Sequence, residues 1–78
     1  MGRNMKSKII KIINLIRPEI EFPAGEDVTL LGVLDSLDII LLVEELEATL
    51  GISIDSEQIV PENFSSLNTL ESFIEKLV

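Results

Sequence analysis

Three segments with apolar residues at helical spacing, separated by breaks at proline and glycine, predict an all-α protein. No stretch shows the period-two alternation of a half-buried strand. The expected architecture is a small bundle of three main helices plus one short helix, with a long loop between the first and second helices. Helices this short are marginal alone, so they must pack on one another.

The first helix is expected over residues 5–17. Met5, Ile9, Ile12, Ile13 and Ile16 share one face, and Pro18 stops the helix by pushing the residue before it out of the α region. Arg17 places a cation at the C-terminal end, where it suits the dipole. From Pro18 to Asp35 the periodicity is lost. Pro18, Pro23, Gly25 and Gly32 interrupt Ile20, Phe22, Val28, Leu30, Leu31 and Leu34. Connections of this length in small domains are often functional, and the apolar residues predict that this one packs over the core.

The second helix is expected over about 36–50. Asp35 caps it, Asp38 follows three residues later in a shorter relative of the capping box, and Gly51 stops it. Ile39, Leu42, Val43, Leu46 and Leu50 form its core stripe. Leu37, Ile40, Leu41 and Ala48 carry apolar surface round to a second side, interrupted by Glu44. Such a helix lies deep in the fold or keeps one side for a partner. A short third helix falls within 55–64, where Pro61 suits a first turn. Ser66 caps a fourth helix over about 67–77, with Leu67, Leu70, Phe73, Ile74 and Leu77 on one face.

Composition narrows the function classes. A chain of 78 residues is expected to form one domain over 1–78, with an apolar fraction of 46% made mostly of Ile, Leu and Val. Without His or Cys there is no Ser-His triad, no thiolate nucleophile and no zinc site of the usual kind. The glycines Gly2, Gly25, Gly32 and Gly51 are scattered and form no phosphate loop. An enzyme would have to take its base from Lys or carboxylates, so the expectation is a chain that binds, presents or carries. The segment Met1–Arg17 lacks the continuous apolar run of a signal peptide, and Lys6 stands where a myristoylation signal on Gly2 needs Ser or Thr. No run approaches a membrane span. A monomeric, cytoplasmic protein is expected.

Charge is divided along the chain. Arg3, Lys6, Lys8, Lys11 and Arg17 are five of the six bases, whereas all fourteen acids lie from Glu19 onward. Residues 18–78, with Lys76 as their only base, carry a formal charge of −13. That surface repels nucleic acid and attracts basic protein partners, although acidity also keeps a small protein soluble.

The stretch Gly32-Val33-Leu34-Asp35-Ser36-Leu37-Asp38 resembles the phosphopantetheine attachment motif of the acyl carrier protein family, whose core is Asp-Ser-Leu. Its place between a long loop and an acidic, aliphatic helix strengthens the resemblance, and the likeness extends from about Met5 to Leu77. Ile59-Val60-Pro61-Glu62-Asn63-Phe64-Ser65-Ser66-Leu67 is also similar to the passage between the third and fourth helices in this family. The chain length matches a free-standing carrier.

The resemblance implies a non-catalytic carrier bearing 4′-phosphopantetheine on Ser36. A separate phosphopantetheinyl transferase would bring coenzyme A and magnesium to that serine. It implies acyl-transferring and acyl-modifying partners of fatty-acid, polyketide, aminoacyl or lipid-modification pathways. Asp35 would help hold the metal, a role compatible with that of a helix cap. Asp38, Glu44, Glu45 and Glu47 would form a recognition face for basic patches, or else a solvated one. Leu37, Ile40 and Leu41 would add to the partner face near the arm, although partial burial of Leu37 and Ile40 is an equal reading. Two positions depart from fatty-acid carriers: Leu41 replaces an acid, and Glu44 replaces an apolar residue. The aliphatic interior is either simple core or shelter for an acyl chain. The competing class is an unmodified acidic helical adaptor that docks basic partners.

Overall fold

The computed structural model describes residues 5–78, so Gly2 and Arg3 lie outside the described residues. It contains α1 (Met5–Ile16), α2 (Ser36–Leu50) and α3 (Leu67–Glu75), with two single 3₁₀ turns at Ser56–Gln58 and Pro61–Asn63 before the last helix. Among the described residues there is no β-strand, only the isolated bridges Thr29–Ser66 and Leu31–Leu34. The protein is an all-α bundle.

α1 packs against both α2 and α3. Its Ile9, Ile12 and Ile13 meet Leu42, Val43 and Leu46 of α2 and Leu67, Leu70, Phe73 and Ile74 of α3 in one core. Ile39 and Leu50, expected in the α2 stripe, are half-buried at its margin. Phe64 and Phe73 join this core with ring centroids 5.8 Å apart, tilted by 58°.

Helix ends differ from the sequence expectation where proline or the final turn intervenes. α1 stops at Ile16 rather than Arg17: the Arg17 N–H still reaches the Ile13 carbonyl at 2.7 Å, but Pro18 takes the chain out of the helix. The Asn14 amide closes this end by donating to the carbonyls of Arg17 and Ile20 at 3.1 and 3.0 Å. A single short third helix does not form. Val60, which precedes Pro61, is extended at ψ 154, so the segment divides into two turns. α3 ends at Glu75 rather than Leu77 because Lys76 and Leu77 donate back three residues, to Phe73 and Ile74, and the last turn tightens.

The long loop is part of the core wall. Leu30 is 1% exposed, and its N–H donates to the Ser65 carbonyl at 2.8 Å. Val28 accepts from Leu67 N–H at 2.8 Å, and Asp27 Oδ1 accepts from Asn68 N–H at 2.8 Å. With the Ser66 hydroxyl accepting from Thr69 N–H at 3.2 Å, the loop and the cap together satisfy the free N–H groups that begin α3. Fixing the loop against α3 brings its far end, Leu31–Asp35, to the start of α2.

Candidate functional site

A tight turn leads into α2. Val33 N–H donates to the Leu30 carbonyl at 3.0 Å, and Gly32 between them has φ +79, a conformation that a side chain would strain. Asp35 then caps the helix. Its Oδ1 accepts from Asp38 N–H at 2.9 Å while Asp38 Oδ2 accepts from Asp35 N–H at 3.1 Å, a reciprocal capping box built from two aspartates. Ser36 is therefore the first helical residue, exposed, and its hydroxyl makes no hydrogen bond to the described residues. Ser66 offers a contrast at the start of α3: its Oγ accepts from Thr69 N–H and donates to Thr69 Oγ1 at 3.0 Å.

A third group joins the box. Arg17 Nε donates to the same Asp38 Oδ2 at 2.9 Å, its Nη2 donates to the Val33 carbonyl at 3.2 Å, and its Nη1 donates to Glu19 Oε2 at 2.6 Å. The hydrogen bond from Asp35 N–H, aided by Arg17, holds the Asp38 carboxyl below the usual aspartate range. Glu19 and Asp38 together raise the guanidinium above its ordinary value.

The structure separates the expected partner residues. Asp38 does not stand on an outward acidic face: it is only 8% exposed, with its carboxylate spent on Arg17 and the capping box. Glu47 is half-buried, and its Oε2 accepts from Ile54 N–H at 2.8 Å, which ties the following loop to α2. Glu44 and Glu45 are exposed. Leu37 and Ile40, for which partial burial was an equal reading, are 63% and 53% exposed, and Leu41 is 40% exposed. The loop adds Leu31 and Val33 to this apolar surface, although the loop's apolar residues are expected to pack over the core. The signal for Leu31 was faint: it adjoins Leu30, and successive residues of extended backbone face opposite sides.

Beside Ser36 lies a pocket of about 360 Å³, lined by Leu30, Leu34, Ile39, Ile59, Val60 and Phe64 among others, with Asp35 and Ser36 at its rim. A group attached to the Ser36 hydroxyl would begin at solvent, next to helix N–H groups that favour a phosphodiester's negative charge. An apolar extension of that group has this pocket beside it. The residues present thus fit a phosphate-linked arm. No cluster among the described residues would hold a metal by itself. Asp35 is exposed and its Oδ2 has no partner among the described residues, so it can contribute one oxygen to a metal held by another protein.

Such an arrangement presents one serine on a small helical scaffold, the design of a carrier domain. Residues 6–76 match the family described as the phosphopantetheine attachment site, and the chain belongs to that family. Members are defined by covalent attachment of 4′-phosphopantetheine to a serine, which makes that group this chain's cofactor, and they are in general non-catalytic carriers. No curated protein and no solved structure matches the chain. Among the described residues, no helix is long and apolar enough to cross a membrane.

Proposed function

We propose that the chain is an acyl carrier protein modified at Ser36, presenting acyl, aminoacyl or polyketide intermediates to enzymes of fatty-acid, polyketide or related biosynthesis. One observation carries the reading: Ser36 is the first residue of α2, exposed and with its hydroxyl unengaged among the described residues, beside an apolar pocket.

In the modification step, Ser36 Oγ forms a bond to the phosphorus of coenzyme A that carries the pantetheine. The bond from that phosphorus to adenosine bisphosphate breaks, and the serine proton goes to a base on the transferase. Asp35 would be the residue of this chain to help hold the transferase's magnesium, with Oδ1 kept as the helix cap. When bound, the arm supplies a terminal thiol that carries the acyl group as a thioester. Leu37, Ile40 and Leu41 offer the apolar part of the docking surface, and Glu44 and Glu45 steer basic partners towards it. With Leu41 and Glu44 inverted relative to fatty-acid carriers, and Asp38 withdrawn, the surface favours partners of a specialised pathway.

Incubation with coenzyme A and a broad-specificity phosphopantetheinyl transferase should add one phosphopantetheine per chain. Ser36→Ala should gain none while keeping its helical circular dichroism. Failure of wild type with several transferases would favour the unmodified adaptor.

A further inference from the structure

Arg17 sits where α1 hands the chain to the loop, and its backbone is held to α1 through the Ile13 carbonyl and the Asn14 side chain. From that fixed point its guanidinium reaches both sides of Ser36. It donates to the Val33 carbonyl, three residues before the serine, and to Asp38, two residues after it. Because Asp38 Oδ2 also accepts from Asp35 N–H, the residue just before the serine is bound into the same node. We propose that Arg17 is a positioning residue for the modification of Ser36, acting through Asp38, and that Asp38 serves this clasp rather than partner docking. The proposal rests on the carrier reading above.

The chemistry of the node supports a positioning role. Exposed ion pairs contribute little, but the Asp38 side chain is only 12% exposed and accepts two hydrogen bonds at one oxygen. Without Arg17 that carboxylate would lie nearly buried with no cation in contact, and its relief is to turn towards water. Turning would pull it from Asp35 N–H and open the capping box, while the Val33 carbonyl has already lost its Arg17 donor. The loop and the first turn of α2 would then vary in relative placement, and Ser36 lies at their junction. Misplacing a reacting group by about 1 Å can cost on the order of a hundredfold in rate. Arginine reaches the three acceptors from three separate nitrogens, whereas a lysine presents all its donors from one.

Electrostatics alone predicts the opposite sign, which makes the proposal testable. Arg17 is a cation beside an acidic docking face. If it acted only through its charge, removing it would speed encounter with a basic transferase. Steady-state loading of the full chain from coenzyme A should instead show about a tenfold lower kcat for Arg17→Met, with KM for the chain unchanged or lower. Arg17→Lys should recover only part of the loss. Asp38→Asn should also lower kcat, and the double variant should be no slower than the worse single one, as expected for residues acting as one unit. Amide hydrogen exchange should quicken at Asp35 and Asp38 in Arg17→Met while the α3 amides stay protected.

Loading of Arg17→Met at the wild-type kcat or faster would overturn the proposal. So would a double variant whose loss is the product of the two single losses, or an Asp38→Asn whose only change is a raised KM. Should Arg17→Met fail to fold by circular dichroism, Arg17→Lys and Asp38→Asn carry the same comparison. A wild type that accepts no phosphopantetheine overturns the carrier reading, and this proposal with it.

Discussion

Leu30 and Leu31 are neighbours in sequence with opposite fates, and substituting each with alanine measures what the loop does. Leu30 is 1% exposed among the core residues, whereas Leu31 is 55% exposed. Emptying a buried leucine site removes its transfer free energy and leaves a cavity, a loss of about 2–5 kcal/mol in well-packed proteins. The Ser65 carbonyl bonded to Leu30 N–H fixes the loop to α3, so the site cannot collapse freely and the upper half of that range applies. In a domain this small, about 4 kcal/mol is roughly half of the stability and corresponds to a fall in melting temperature of about 16–32 °C. Leu31→Ala should cost less than about 0.5 kcal/mol. Urea unfolding followed by circular dichroism gives both values. A Leu30→Ala cost below about 1 kcal/mol, or equal costs at the two positions, would refute the reasoning that the loop is a wall of the core.

Three further outcomes follow from the site. Glu45→Lys leaves the fold intact and slows transferase loading, with a deficit that shrinks as salt rises, since an exposed charge acts mainly on association; a deficit unchanged by salt would remove Glu45 from the docking face. Leu41→Glu with Glu44→Met, both at exposed positions, should gain activity with fatty-acid synthesis enzymes, read as malonyl transfer to the holo-protein; equal rates for wild type and variant would show that these positions do not set partner choice. The lowered Asp38 pKa makes the clasp stabilising above the ordinary aspartate value of about 3.9, and that contribution is lost as pH falls further through the folded value. Wild type should therefore lose melting temperature below about pH 4 more steeply than Asp38→Asn, and parallel pH curves would contradict this assignment.

What could be read from the sequence was local in origin. Pro18, Gly51 and the caps Asp35 and Ser66 act within a few residues of themselves, and each helix they delimit appears within two residues of its expected ends. The i, i+3, i+4 stripes likewise identified Ile9, Ile12, Ile13, Leu70 and Ile74 as core. The segment 55–64 forms two short turns instead of one helix because Pro61, which suits a first turn, also forces Val60 before it to be extended. The capping role of Asp38 was local and legible, but its burial beside Arg17 was not. Its partner Arg17 lies 21 residues away, and no periodic pattern encodes a pair that only the folded chain brings together. Leu30 was legible as part of a loop packed over the core, but its hydrogen-bond partner Ser65, across the fold, was not.

The central claim is that one particular serine carries the arm, and the location of the adduct tests it most directly. The chain has a built-in competitor, since Asp55-Ser56 repeats the Asp-Ser pair at the start of a 3₁₀ turn, where Ser56 is also exposed. Ser56 lacks a following α-helix and the pocket that Ser36 adjoins. Tandem mass spectrometry of the transferase-loaded wild type should therefore place phosphopantetheine on the peptide bearing Ser36 alone. An adduct on Ser56, on Ser66 or spread over several serines would contradict the account.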